Sequence, residues 1–75
     1  MIDHDGPVAP WRQIHAILKA RIDSGEYPPG GRLPSIVTMA QDFGVALTTV
    51  RKALDALKED GLVVTSPMGT FVAKK

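Results

Sequence analysis

Three glycines, Gly44, Gly61 and Gly69, cut residues 33 to 72 into segments whose apolar spacing changes from helical to strand-like. Ser35 precedes Ile36, Met39, Ala40 and Phe43, which share one face at helical spacing, with Val37 and Gln41 on the other. A serine there is a good N-cap, because its hydroxyl accepts a hydrogen bond from an otherwise unpaired backbone N–H. Gly44 is the expected stop. In the next segment, from 47 to 60, Val50, Ala53, Leu54 and Leu57 fall on one arc, and Gly61 closes it. Two β-rich runs follow, 62–65 and 70–73, joined by Ser66-Pro67-Met68-Gly69, the pattern of a hairpin. Helix, glycine turn, helix and hairpin in that order predict a winged helix-turn-helix, mainly α with a small β wing. Its purpose is to set the second helix of the pair in the DNA major groove.

Upstream, Trp11, Ile14, Ile17, Leu18 and Ile22 make a 3.6-period stripe, which predicts a first helix ending at Ser24-Gly25. A turn-rich connector, Glu26-Tyr27-Pro28-Pro29-Gly30-Gly31, leads to Arg32-Leu33, long enough for a minimal strand. Trp11 and Phe43 are expected in the core. Gly6, Pro7 and Pro10 break any earlier helix, so residues 1–9 read as a flexible arm, 10–73 as the domain and 74–75 as a basic tail. At 75 residues the chain is one small domain, expected to bury about 60% of its unfolded surface, without room for a separate effector-sensing module.

The composition excludes several kinds of chemistry. There is no cysteine, hence no disulfide or thiolate metal site, and a reducing cytoplasm is the expected compartment. No signal peptide is expected and no run approaches the ~18 apolar residues of a membrane span. His4 and His15 have no ligand partners at metal-site spacing. Gly30-Gly31 lacks the Lys-Ser/Thr of a phosphate-binding loop, and Ser35 has no nucleophile elbow around it. Neither an enzymatic activity nor a metal or cofactor is expected.

Nine basic and eight acidic side chains give a formal charge of +1, weak for a nucleic-acid binder, so the placement of charge has to decide. In the third helix Thr48, Thr49, Arg51 and Lys52 occupy the first turns, while Asp55, Glu59 and Asp60 gather at the far end. That polarity suits a helix whose N-terminal residues enter the groove. The ordinary alternative is an amphipathic helix with an Arg51–Asp55 pair worth ~0.3–0.5 kcal/mol.

Several short motifs carry a family resemblance: Trp11-Arg12-Gln13-Ile14, Ser24-Gly25-Glu26-Tyr27-Pro28-Pro29-Gly30, Leu33-Pro34-Ser35, Phe43-Gly44-Val45, Thr48-Thr49-Val50-Arg51, Asp60-Gly61-Leu62 and Gly69-Thr70-Phe71-Val72. Together they resemble the DNA-binding domain of GntR-family transcription regulators, in order and over nearly the whole chain beyond residue 9. The resemblance implies a dimer on a roughly palindromic operator, usually repressing transcription. It implies phosphate and base contacts at Thr48, Thr49 and Arg51, and at Gly69 a close approach of the wing to the minor groove. The chain also departs from the family pattern. Ile36 and Val37 stand where Glu-Arg is common, Leu47 and Met68 where arginines often stand, and Ala46 where a serine or threonine caps the recognition helix.

The expected DNA-binding set is therefore Arg32, Ser35, Val37, Leu47, Thr48, Thr49, Arg51, Lys52, Met68, Gly69 and Thr70. With three customary cations missing, binding is expected to be weaker and less salt-sensitive than is typical of the family. Leu47 and Met68 are open to apolar contact with a thymine methyl. The expected partners are double-stranded operator DNA, a second copy as a weak dimer, or another regulatory protein. Two other functions fit the same residues. One is a protein-interaction module using Val37, Leu47 and Met68 as an apolar patch; the other is an excisionase-like architectural factor that bends DNA.

Overall fold

The computed structural model describes residues 2 and 6–73; His4, Lys74 and Lys75 lie outside them, as does much of the arm expected at 1–9. Three helices, α1 (Pro10–Asp23), α2 (Ile36–Phe43) and α3 (Leu47–Glu59), precede two strands, β1 (Val63–Ser66) and β2 (Gly69–Val72). This is the expected winged helix-turn-helix. Pro10 opens α1 instead of preceding it. At a first helical position its missing N–H has no intrahelical partner to lose, and its fixed φ already suits a helix.

α3 is the centre of the packing. Its arc of Val50, Ala53, Leu54 and Leu57 is buried, and the helix packs on α1, α2 and β1. Ile14 and Leu18 meet it from α1, Met39, Ala40 and Phe43 from α2, and Leu33, Val63 and Val72 from the wing side. Trp11 departs from expectation. It is only half-buried, packed against the edge of this core, with the Lys52 and Arg12 cations within cation–π distance of its ring. Ile2, from the arm, also packs against the edge of the core.

Each helix end follows from its local sequence. Ser35 accepts a hydrogen bond from the Thr38 amide at 3.1 Å and donates to the Thr38 hydroxyl at 2.9 Å. Gly44 takes the left-handed conformation, φ 67° and ψ 39°, which brings the Val45 amide to the Ala40 carbonyl. At the end of α3, Gly61 donates to the Lys58 carbonyl and Leu62 to the Leu57 carbonyl, both at 3.0 Å. Paired bonds of this kind satisfy the last carbonyls of a helix and reverse the chain. They deliver Leu62 straight into the wing, where its carbonyl accepts from the Ala73 amide at 2.9 Å.

The hairpin register pairs Val63 with Val72, Val64 with Phe71, Thr65 with Thr70 and Ser66 with Gly69. Ser66 and Gly69 thus join the strands, and the turn shrinks from the expected four residues to Pro67-Met68. The Ser66 hydroxyl holds it, accepting from the Met68 amide at 3.2 Å and donating to the Gly69 carbonyl at 3.3 Å. The minimal strand expected at Arg32-Leu33 forms as a bridge between Arg32 and Phe71. Gly30 and Leu33 donate to the carbonyls of Val72 and Thr70, and Val72 donates back to Gly31. The far edge of β2 is therefore paired, and the wing is tied to the loop that enters α2.

Like α1, which follows Ala9, α3 starts without a side-chain cap, since Ala46 has capping backbone geometry, φ −70° and ψ 156°, but no hydroxyl. Ala46→Ser is expected to add about 1 kcal/mol of stability. In thermal melts of a domain this size that is a rise of roughly 4–8 °C. An unchanged melting temperature would mean the first N–H groups of α3 are already satisfied.

Candidate nucleic-acid interface

The polar arc of α3 faces solvent from its first turn. Leu47, Thr48, Arg51 and Lys52 are exposed and Thr49 is half-buried beside them. The expected alternative pair does not form: among the described residues, Arg51 makes no ion pair with Asp55. At the other end of α3, Asp60 is engaged by the His15 ring on α1, Nε2 to Oδ2 at 2.8 Å. The carboxylate end of α3 is thereby turned toward α1, away from the end that carries Thr48 and Arg51.

Eight of the eleven expected site residues line two hollows, and the other three are exposed outside them. A groove of about 370 Å³ between the start of α2 and the wing is lined by Arg32, Ser35, Val37, Gly69 and Thr70. A second hollow, of about 290 Å³, lies between the starts of α1 and α3 and takes in Thr48, Thr49 and Lys52 with Pro10 and Trp11. Leu47, Arg51 and Met68 line neither. Met68, at the tip of the wing, is 75% exposed, and Val37 and Leu47 are 53% and 45% exposed.

Two residues gain roles that the sequence reading did not give them. Lys52 Nζ sits 5.0 Å from the centre of the Trp11 ring, and the Arg12 guanidinium is 5.3 Å from it. Each is a cation–π contact, which holds Lys52 against the ring, and Trp11 lines the same hollow as Thr48, Thr49 and Lys52. The other is Thr65, which lines the wing groove. Its signal was available: a hairpin closed around residues 66–69 sets Thr65 opposite Thr70, and two hydroxyl residues across a strand pair share a face. Ser35, in contrast, spends its hydroxyl on the α2 cap. Arg12 faces Trp11, and the Gln13 side chain donates to the Val8 carbonyl at 2.8 Å.

Fold and face together define a winged helix-turn-helix of the DNA-binding type. The chain belongs to the GntR family of bacterial regulatory proteins, whose family pattern matches residues 10–72. It is similar to the transcriptional repressor NagR of Bacillus subtilis (strain 168), 39% identical over 74 residues, covering 97% of this chain and 30% of NagR. Among solved structures it resembles YtrA from Sulfolobus acidocaldarius, a GntR-family transcription factor, with TM-score 0.92 and 32% identity over 100% of this chain and 80% of that one. It also resembles the DNA-binding domain of AraR in complex with operator ORR3, with TM-score 0.87 and 28% identity over 97% of this chain and 89% of that one. The chain spans about a third or less of the length of the curated relatives it matches.

The Trp11 contact gives a measurable consequence. Lys52→Gln is expected to cost about 0.5–1 kcal/mol, the usual range for an exposed cation–π pair. Denaturant unfolding followed by emission of the single tryptophan checks it, because the loss should come with a change in the native-state spectrum. An unaltered spectrum and midpoint would remove Lys52 from the Trp11 ring.

Proposed function

We propose that this chain binds double-stranded operator DNA in a sequence-specific way to regulate transcription, in the direction of repression, and catalyses no reaction. The observation that carries the proposal is the division of α3. One arc is buried in the core, and the other offers Leu47, Thr48 and Arg51 at the end of the helix free of carboxylates. In this reading α3 enters the major groove. Arg51 and Thr48 contact bases and phosphates, and Thr49 and Lys52 contact the backbone beside Trp11. The wing reaches the neighbouring minor groove through Met68 and Gly69. The repressor NagR and the operator complex of AraR support this direction. The operator has two half-sites, each taken by one copy of the domain, and the protein works in the cytoplasm, at the nucleoid when bound.

The exposed apolar residues Val37, Leu47 and Met68 belong to the same reading, as contacts to thymine methyls and to sugar edges. A docking patch for another protein is the competing use of these residues. It is disfavoured because Val37 faces the wing groove while Leu47 and Met68 line neither hollow.

Selection of bound fragments from genomic DNA by the purified protein tests the proposal and returns the half-site spacing. On a recovered fragment, Arg51→Ala is expected to weaken binding by about tenfold or more, as loss of a charged contact implies. Without arginines at positions 37, 47 and 68, the slope of log affinity against log salt should be about 2.7 units shallower than in a relative that keeps all three as phosphate contacts. Binding that survives Arg51→Ala unchanged, or the absence of any enriched fragment, would overturn the proposal.

A further inference from the structure

The base of the wing holds a cation that no group among the described residues neutralises. The guanidinium of Arg32 lies across Gly69 so closely that a Cβ on residue 69 would stand 2.9 Å from Nε, 3.3 Å from Nη2 and 3.4 Å from Cζ. Among the described residues this guanidinium has neither a hydrogen bond nor an ion pair. Its backbone is fixed by the bridge to Phe71 and by the Leu33 amide on the Thr70 carbonyl. The same groove is lined by Thr65 and Thr70, cross-strand partners whose hydroxyls also have no hydrogen bond among the described residues.

A planar guanidinium with five donors and two free hydroxyls in an open groove has the chemistry of a phosphate site. We infer that the base of the wing holds one phosphate of the DNA backbone, with Arg32 supplying the charge and Thr65 and Thr70 the hydroxyl donors, and that Gly69 is required as the seat of Arg32. This rests on the reading of the chain as a DNA-binding domain and adds a contact to it. The phosphate belongs to the strand that passes between the groove receiving α3 and the groove reached by the wing tip. It also accounts for a wing tip without a cation: the charge missing at Met68 comes from beneath the turn. Gly69 accordingly serves the interface through a side chain of the protein, in addition to any approach of its own backbone to DNA.

The test uses the full chain and a selected duplex in fluorescence anisotropy, with single phosphates replaced one at a time by neutral methylphosphonates. Arg32→Ala is expected to weaken binding about tenfold and to lower the salt slope by about 0.9. At one phosphate, neutralisation should cost the wild type about tenfold and the Arg32→Ala protein less than about twofold, the signature of a contact between the two. Gly69→Ala should lower the salt slope as Arg32→Ala does. Because Gly69 has φ 134°, alanine there also strains the turn, so Arg32→Gln and Thr65→Ala, which leave that backbone unaltered, test the same site. An unchanged salt slope for both Arg32 variants overturns the inference, as does a Thr65→Ala loss that is fully additive with Arg32→Ala. Either result leaves DNA binding itself standing, whereas failure of the wild type to bind any duplex overturns both readings.

Discussion

Burial of one arc of α3 is the constraint on which the rest of the molecule depends. Val50, Ala53, Leu54 and Leu57 lose nearly all contact with water against α1, α2 and β1. The larger side chains of such a set contribute roughly 1.5–3 kcal/mol each when fully buried. Since these four positions fix the rotation of the helix about its axis, they also fix which residues face outward. Thr48 and Arg51 point to solvent because their neighbours at helical spacing cannot. The outward face of α3 is thus set by the core that its other arc builds.

The wing depends on the same helix through its C-terminus. The bonds from Gly61 and Leu62 back to Lys58 and Leu57 end α3 and aim the chain into β1 without a flexible linker. On the other side, the segment from Gly30 to Leu33 pairs with β2, so the loop that begins the helix-turn-helix and the hairpin that ends the chain are parts of one small sheet. A two-stranded hairpin alone is marginally stable in water, and a third pairing segment with a packed face supplies what it lacks. The wing is a rigid extension of the domain. That rigidity allows a charge placed at its base, on Arg32, to have a defined position.

The near-zero net charge becomes intelligible once charges are sorted by location. His15 engages Asp60, and Arg21 engages Glu26 at 3.2 Å, both away from the start of α3. Arg32 and Arg51 are unpaired among the described residues, and Lys52 is held on a ring by a contact that leaves its charge intact. A surface can therefore be locally cationic in a chain whose sum is +1, since exposed charges farther apart than about 10 Å are largely screened from one another.

The sequence by itself determined the elements and their order, because helix caps, glycine stops and apolar periodicity act over four or five neighbouring residues. Ser35, Gly44, Gly61 and the Thr65–Thr70 register all stand where local chemistry puts them, and so does the division of α3 into two arcs. The family likeness was readable for the same reason, in short motifs of fixed spacing. Only the tertiary structure decided what distant segments do to one another. Trp11 reads as core from its helical phase, yet it lies where α1 meets the start of α3, under Lys52, and stays half-exposed. Arg32 reads from the sequence as one of the expected DNA-binding cations, but its place over Gly69, thirty-seven residues away in sequence, comes only from the pairing of its segment with β2. Periodicity reports which face of an element is buried; what it is buried against depends on where the other elements pack.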